Sequence, residues 1–242
     1  MIEHRPLRRL VVTFDAERYS HRDHDGQRDV QTGITEVMRA ADPEQRLRSL
    51  EWDRQPQGDA ILAVLPPGTV EAEAISDFIG GLYSALHHHN RSRNEAYRLR
   101  LRVSFDQGNI AVGDNGFVGN AVVAACRVRD SDLLRDALAH NPEADLVVAV
   151  SDSVYTDVVA HGEHELYRWE FTRRTAEAKN FSAPVWLHVP EVREDERGRG
   201  ASPGKSPVAP TTDGFSFTEV DLRDSQGANL GRVGGDFNNH FG

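Results

Sequence analysis

Apolar residues fall into short runs and helical stripes over the first 190 positions, give out over 191–213 and return at alternating positions in the tail. Leu10–Phe14 (LVVTF) is compact and rich in β-branched residues, the pattern of a buried strand. Gln27–Ala41 sets Val30, Ile34, Val37, Met38 and Ala41 on one helical face, with Asp42-Pro43 as its stop. Ala60–Leu65 (AILAVL) predicts a second buried strand, closed by Pro66-Pro67. Over Thr69–His89, Val70, Ala74, Phe78, Leu82 and Leu86 recur at steps of four beside Ile75, Ile79 and Tyr83, which predicts a long helix. Leu99–Phe105 alternates apolar and polar residues as a strand, Gly108 marks a turn, and Asn109–Val112 pairs back as a hairpin. Gly119–Val128 and Asp130–Leu138 read as helices and Leu146–Val150 as a strand. Val154–Val159 is a short helix behind the cap sequence Ser151-Asp152-Ser153, and Leu166–Thr172 and Pro184–Val189 are late strands. This succession predicts an α+β fold, an α/β sandwich in which helices pack on one mixed sheet.

Residues 191–213 combine Pro, Gly, Ser and charge with almost no apolar side chain, too little to offset the entropy of ordering them. The chain thus divides into a folded domain at 1–190, a disordered linker at 191–213 and a tail at 214–242. In the tail, Gly and Asn alternate with apolar residues up to Phe241. That pattern suits pairing with a like segment of an effector protein; a frayed terminus is the plainer alternative.

Hydrophobic residues make up 38% of the 242 positions, below the usual ~45–50%. Lys and Arg number 28 against 38 Asp and Glu, a net charge of −10, which argues against a nucleic-acid partner bound through phosphates. The single cysteine, Cys126, excludes an internal disulfide and a cysteine-rich zinc site. No run is long enough to span a membrane, and MIEHRPLRRLVV lacks a signal-peptide core, so a cytoplasmic, soluble protein is expected.

Candidate chemistry lies at strand ends. Asp15 follows the strand Leu10–Phe14, and Asp59 in Gly58-Asp59-Ala60 precedes the strand Ala60–Leu65. Were these strands antiparallel neighbours, the two carboxylates would share a rim and suit Mg²⁺ or Mn²⁺ held together with a substrate's phosphates. Gly58 would let a triphosphate approach the backbone. Asp ahead of a strand is also ordinary turn chemistry, and spacing alone does not separate the two. His87, His88 and His89 point about 100° apart on a helix and cannot converge on one ion. His161 and His164 fit a surface turn, and Cys126 reads as a small buried residue.

Four blocks, taken in order, resemble the class III nucleotidyl cyclases. Phe14-Asp15-Ala16-Glu17-Arg18-Tyr19-Ser20 resembles that family's first metal motif, and Gln57-Gly58-Asp59 its second. Arg102 to Ile110 (RVSFDQGNI) is similar to its Arg-small-x-x-x-x-Gly-x-Val strand-turn, and Gly116 to Arg127 (GFVGNAVVAACR) to its Gly-x-x-Val-Asn-x-Ala-x-Arg helix. The resemblance spans residues 8 to about 140; residues 146–190 resemble extensions of small cyclase-like proteins from high-GC, actinobacterial-type bacteria.

It implies a ferredoxin-like palm and a head-to-tail homodimer that converts a nucleoside triphosphate into a cyclic nucleotide and pyrophosphate. Asp15 and Asp59 would hold the metal ions, Arg127 would stabilise the transition state from the partner subunit, and Gln55, Gly58 and Val123 would fall at nucleotide-binding positions. The sequence departs from the pattern where Val123 replaces a ribose-orienting Asn, where Gln55 replaces a base-reading Lys, and where Gly116 occupies the acidic base-reading position, with Asp114 displaced by two. The same departures suit an altered base, a slow enzyme, or a non-catalytic nucleotide-binding or scaffold module.

Overall fold

A computed structural model of the chain describes residues 5–41, 53–161, 166, 169–178 and 180–190. The Asp42-Pro43 stop, His164, the linker and the tail lie outside the described residues. In chain order the elements are β1 (Leu7–Ala16), α1 (His24–Ala40), β2 (Asp53–Gln57), β3 (Ala60–Val64), α2 (Glu71–Asn90), β4 (Leu101–Gly113) and β5 (Gly116–Val118). They continue as α3 (Asn120–Arg129), α4 (Asp132–His140), β6 (Leu146–Ser151), α5 (Asp152–Asp157), β7 (Thr172–Ala178) and β8 (Phe181–His188). The eight strands form one sheet in the order β2-β3-β1-β4-β6-β8-β7, with β5 paired to β4. The first four strands and two helices make a β-α-β-β-α-β unit of strand order 2-3-1-4, the expected ferredoxin-like palm.

Strand alternation divides the sheet between two helical layers. Leu10, Val12, Phe14, Leu101, Val103 and Phe105 face α1 and α2, where Val30, Ile34, Val37, Phe78, Ile79 and Leu82 complete the larger core. Val11, Leu62, Val64 and Ile110 point the other way and pack under Ala121, Val122 and Ala125 of α3. Val147, Ala149 and Val185 pack under Leu134 and Leu138 of α4. The two long helices approach closely, and a side chain at Gly81 would run into the Ala41 carbonyl.

Buried polar groups fix the start of β4. The Asn90 amide donates to the Leu99 carbonyl at 2.7 Å and accepts from the Leu99 N–H at 2.9 Å. Arg100 donates to the carbonyls of Leu138, Asn141 and Ala144 at 2.7–2.8 Å, tying the end of α4 to this strand. These bonds hold the backbone on which Arg102 stands. Among the described residues, no helix is long and apolar enough to cross a membrane.

Two sequence expectations are corrected, and one strand is added. Gly108 does not turn the chain: β4 runs through it to Gly113, and the hairpin closes at Asp114-Asn115 before β5. The glycine serves close approach instead, since a Cβ there would crowd Ala121 of α3 at 3.1 Å. The strand expected at Leu166–Thr172 lies later, at Thr172–Ala178, while Leu166 is buried in a helical turn. Its sequence, TRRTAEA, lacks an apolar signal because β7 is an edge strand exposed along most of its length. The other edge, β2, is the polar segment DRQPQ, which the apolar pattern does not mark at all. Pro56 is tolerated there because an edge strand needs only one side of its hydrogen-bonding capacity.

Candidate functional site

β1 and β3 are antiparallel neighbours, as the carboxylate reading required. Phe14 pairs with Ile61, so one step further Asp15 comes level with Ala60 and next to the Gly58-Asp59 turn. Gly58 has φ 75°, a left-handed conformation that explains glycine at this corner. Val11, Thr13 and Asp15 share the sheet face under α3, so the Asp15 carboxylate opens toward that helix rather than into the larger core.

Asp15 is 7% exposed. Its cross-strand partner on β4 is Arg102, which grips both carboxylate oxygens, Nε to Oδ1 at 2.9 Å and Nη2 to Oδ2 at 2.5 Å. A second guanidinium closes the rim. Arg129, the last residue of α3, donates to Thr13 Oγ1 at 2.7 Å and to both oxygens of Asp130 at 2.9 and 3.0 Å. Desolvation pushes the Asp15 pKa up to about 6 against the opposing pull of Arg102 and Arg129. Burial also raises Asp59, and the same three charged neighbours act on it, Arg129 and Arg102 lowering and Asp130 raising its pKa. The two aspartates, 44 positions apart in the chain, thus sit in one electrostatic environment.

The remaining positions form other patches. Gln55 on β2 reaches Gly116 across the sheet edge, where a Cβ on the glycine would meet the Gln55 amide oxygen at 2.5 Å. The two base-reading positions of the resemblance therefore do adjoin. Val123 is 49% exposed on α3, an uncovered apolar side chain. Arg127 lies two residues from Arg129, about 200° around the helix. It is exposed and sits over the Phe181 ring of β8 at 5.6 Å. One helix thus carries one arginine turned toward the carboxylates and another turned outward.

No protein-family profile and no curated protein matches the chain. Solved structures do. An adenylate/guanylate cyclase/hydrolase from Silicibacter pomeroyi aligns over 76% of this chain and 99% of its own at 18% identity, with a TM-score of 0.53. A bacterial light-regulated adenylyl cyclase aligns over 77% of this chain and 53% of its own at 15% identity, with a TM-score of 0.52. The chain has the class III nucleotidyl cyclase fold.

Two charged groups of this cyclase-fold chain were not assigned by motif reading. Arg102 opens the third block, yet spacing does not reveal that it faces Asp15. Arg129 follows the fourth block, and an Arg-Asp dipeptide at a helix end reads as a solvated pair; only the fold brings it to Thr13 on β1. Counting Asp15, Asp59 and Asp130 against Arg102 and Arg129 leaves one negative charge uncompensated. One buried and one half-buried carboxylate with surplus negative charge fit Mg²⁺ or Mn²⁺, which take one or two carboxylates and complete their shell with substrate phosphates and water.

The raised Asp15 pKa has a consequence for stability. The folded state takes up this proton more readily than the unfolded chain, so the contribution is absent well above pH 6, grows as pH falls, and approaches its full size of about 3 kcal/mol only below the unfolded value of 3.8. Asp15→Asn does not titrate. The stability of the natural chain relative to that variant is therefore expected to rise between pH 7 and pH 4.5 in denaturant unfolding. A flat or falling difference would refute the assignment.

Proposed function

We propose that this cyclase-fold chain is a nucleotidyl cyclase that acts as a homodimer and converts a nucleoside triphosphate into a cyclic nucleotide and pyrophosphate. The observation that carries the reading is the common environment of Asp15 and Asp59 at the β1–β3 rim, flanked by Arg102 and Arg129. In the reaction the ribose 3′-oxygen bonds to the α-phosphorus, the bond from that phosphorus to the α–β bridging oxygen breaks, and the 3′-hydroxyl loses its proton. Bound at the two aspartates, Mg²⁺ or Mn²⁺ would supply charge neutralisation and a more acidic 3′-hydroxyl. Asp15 and Asp59 would hold the ion. Arg129, fixed by Thr13 and Asp130, adds a cation that needs no reorientation as phosphate charge develops. Gln55, which can donate or accept, reads the base edge beside Gly116. Arg127 is turned away from its own subunit's rim and serves the partner's site.

Val123 favours a second reading, a nucleotide-binding module without turnover, because it presents hydrocarbon where the resemblance calls for a hydrogen-bonding side chain. Losing one such group typically costs about 10²–10³ in rate, which slows an enzyme without abolishing it. Incubating the purified chain with each of the four nucleoside triphosphates and Mn²⁺ separates the readings. Cyclic product with stoichiometric pyrophosphate from one of them is the expected result. Mn²⁺-dependent nucleotide binding with no product after prolonged incubation would establish the module and overturn the enzyme.

A further inference from the structure

We propose that Arg102 keeps the Asp15–Asp59 cation site closed in the free chain, so that a divalent ion enters only together with a nucleotide. The inference rests on the cyclase reading and adds an order of binding to it. Asp15 and Arg102 are direct cross-strand partners in the β1–β4 ladder, so ten paired positions of backbone fix their separation. Both oxygens of Asp15 are engaged, Oδ1 at 2.9 Å and Oδ2 at 2.5 Å, and both side chains are about nine-tenths buried.

A small divalent ion bonds carboxylate oxygen at about 2.0–2.1 Å. To do so at Asp15 it must displace the guanidinium or share the carboxylate with it, and in either case it lies within a few ångströms of that cation, a repulsion poorly screened at a buried site. Arg129 adds to this barrier and cannot swing aside without giving up Thr13 and Asp130. A lone dication thus gains one carboxylate while it weakens or breaks a bidentate ion pair. A triphosphate reverses the balance, because it brings several negative charges that can receive the freed guanidinium and complete the ion's shell. Arg102 is a positioning residue in this scheme: it acts on the cation through Asp15.

Mn²⁺ binding to the full chain, followed by loss of the free-ion electron paramagnetic resonance signal, tests the lock apart from turnover. Without nucleotide, the natural chain should bind Mn²⁺ no better than Asp15→Asn. Arg102→Gln should bind at least about tenfold tighter than either, and Arg102→Lys, which keeps the charge but cannot grip both oxygens, should fall between. Adding a nucleoside triphosphate with a methylene in place of the α–β bridging oxygen should restore Asp15-dependent uptake to the natural chain. The lock is overturned if the natural chain alone binds Mn²⁺ tenfold more tightly than Asp15→Asn, or if a folded Arg102→Gln matches the natural chain. Should Arg102→Gln fail to fold, the comparison of the natural chain with Asp15→Asn, with and without the analogue, decides. Free uptake with cyclic product removes the lock and spares the cyclase reading; no Asp15-dependent uptake even with the analogue, and no product, removes both.

Discussion

Asp59→Ala is expected to abolish cyclic nucleotide formation, a loss of at least about 10³-fold, while the protein stays folded. The size follows from the role: removing one electrostatic partner of a transition state costs about 10²–10³, and an ion's own contribution of several kilocalories is lost with its ligand. Little stability is at stake. Asp59 sits in the two-residue turn between β2 and β3, only partly buried, and burial makes its charge unfavourable there. Substitution at such a site typically changes stability by about 0.5 kcal/mol or less. The left-handed φ belongs to Gly58, so the turn does not depend on the aspartate. Thermal unfolding of the variant beside its activity checks both halves. Mixing it with Arg127→Ala sharpens the test, because Arg127 faces away from its own rim. A mixed dimer with one intact site should regain part of the activity that neither variant has alone. A folded Asp59→Ala protein that still forms product at the natural rate would leave the rim without a catalytic role.

The parts of this fold that were legible are those where burial is two-sided. β3 and β6 carry unbroken apolar runs, and β1 one interrupted only at Thr13, because helices cover both faces, and α1 and α2 show their stripes because each buries one side. The edge strands β2 and β7 were not legible, since their side chains meet solvent and no hydrophobic period is imposed on them. Gly108 misled for a related reason: a glycine marks either a turn or a close approach, and only the position of α3 distinguishes them. At the site, Asp15 and Asp59 could be paired from sequence because antiparallel neighbours bring a strand end beside a strand start. The guanidiniums could not. Arg102 and Arg129 reach the rim from 87 and 114 positions beyond Asp15, and their partners follow from strand order and helix rotation rather than from spacing.

Phe78→Ala is expected to cost about 3–5 kcal/mol of folding free energy, the range for truncating a buried aromatic ring. Phe78 is fully buried on α2 at the centre of the larger core. Its ring lies 6.0 Å from Phe14 at 48° and meets Phe105 edge-on at 5.8 Å and 88°. Phe14 precedes Asp15 on β1, and Phe105 stands three residues beyond Arg102 on β4, so this one ring braces both strands of the rim from the opposite face. Neighbours cannot refill the space, because Phe14 and Phe105 are fixed in the β1–β4 ladder and α2 is held against α1 at Gly81. Against a typical total of about 5–15 kcal/mol the loss is large, and it should lower the denaturant midpoint with the slope of the transition unchanged. Phe78→Leu, which leaves a smaller void, should lose less. Because the cavity opens on the α2 side while Asp15 and Arg102 face α3, Arg102 should still grip Asp15 in the folded fraction. Nucleotide-free Mn²⁺ uptake by folded Phe78→Leu should therefore stay as low as in the natural chain. Uptake rising to the level expected of Arg102→Gln would mean instead that the rim depends on core packing through the sheet.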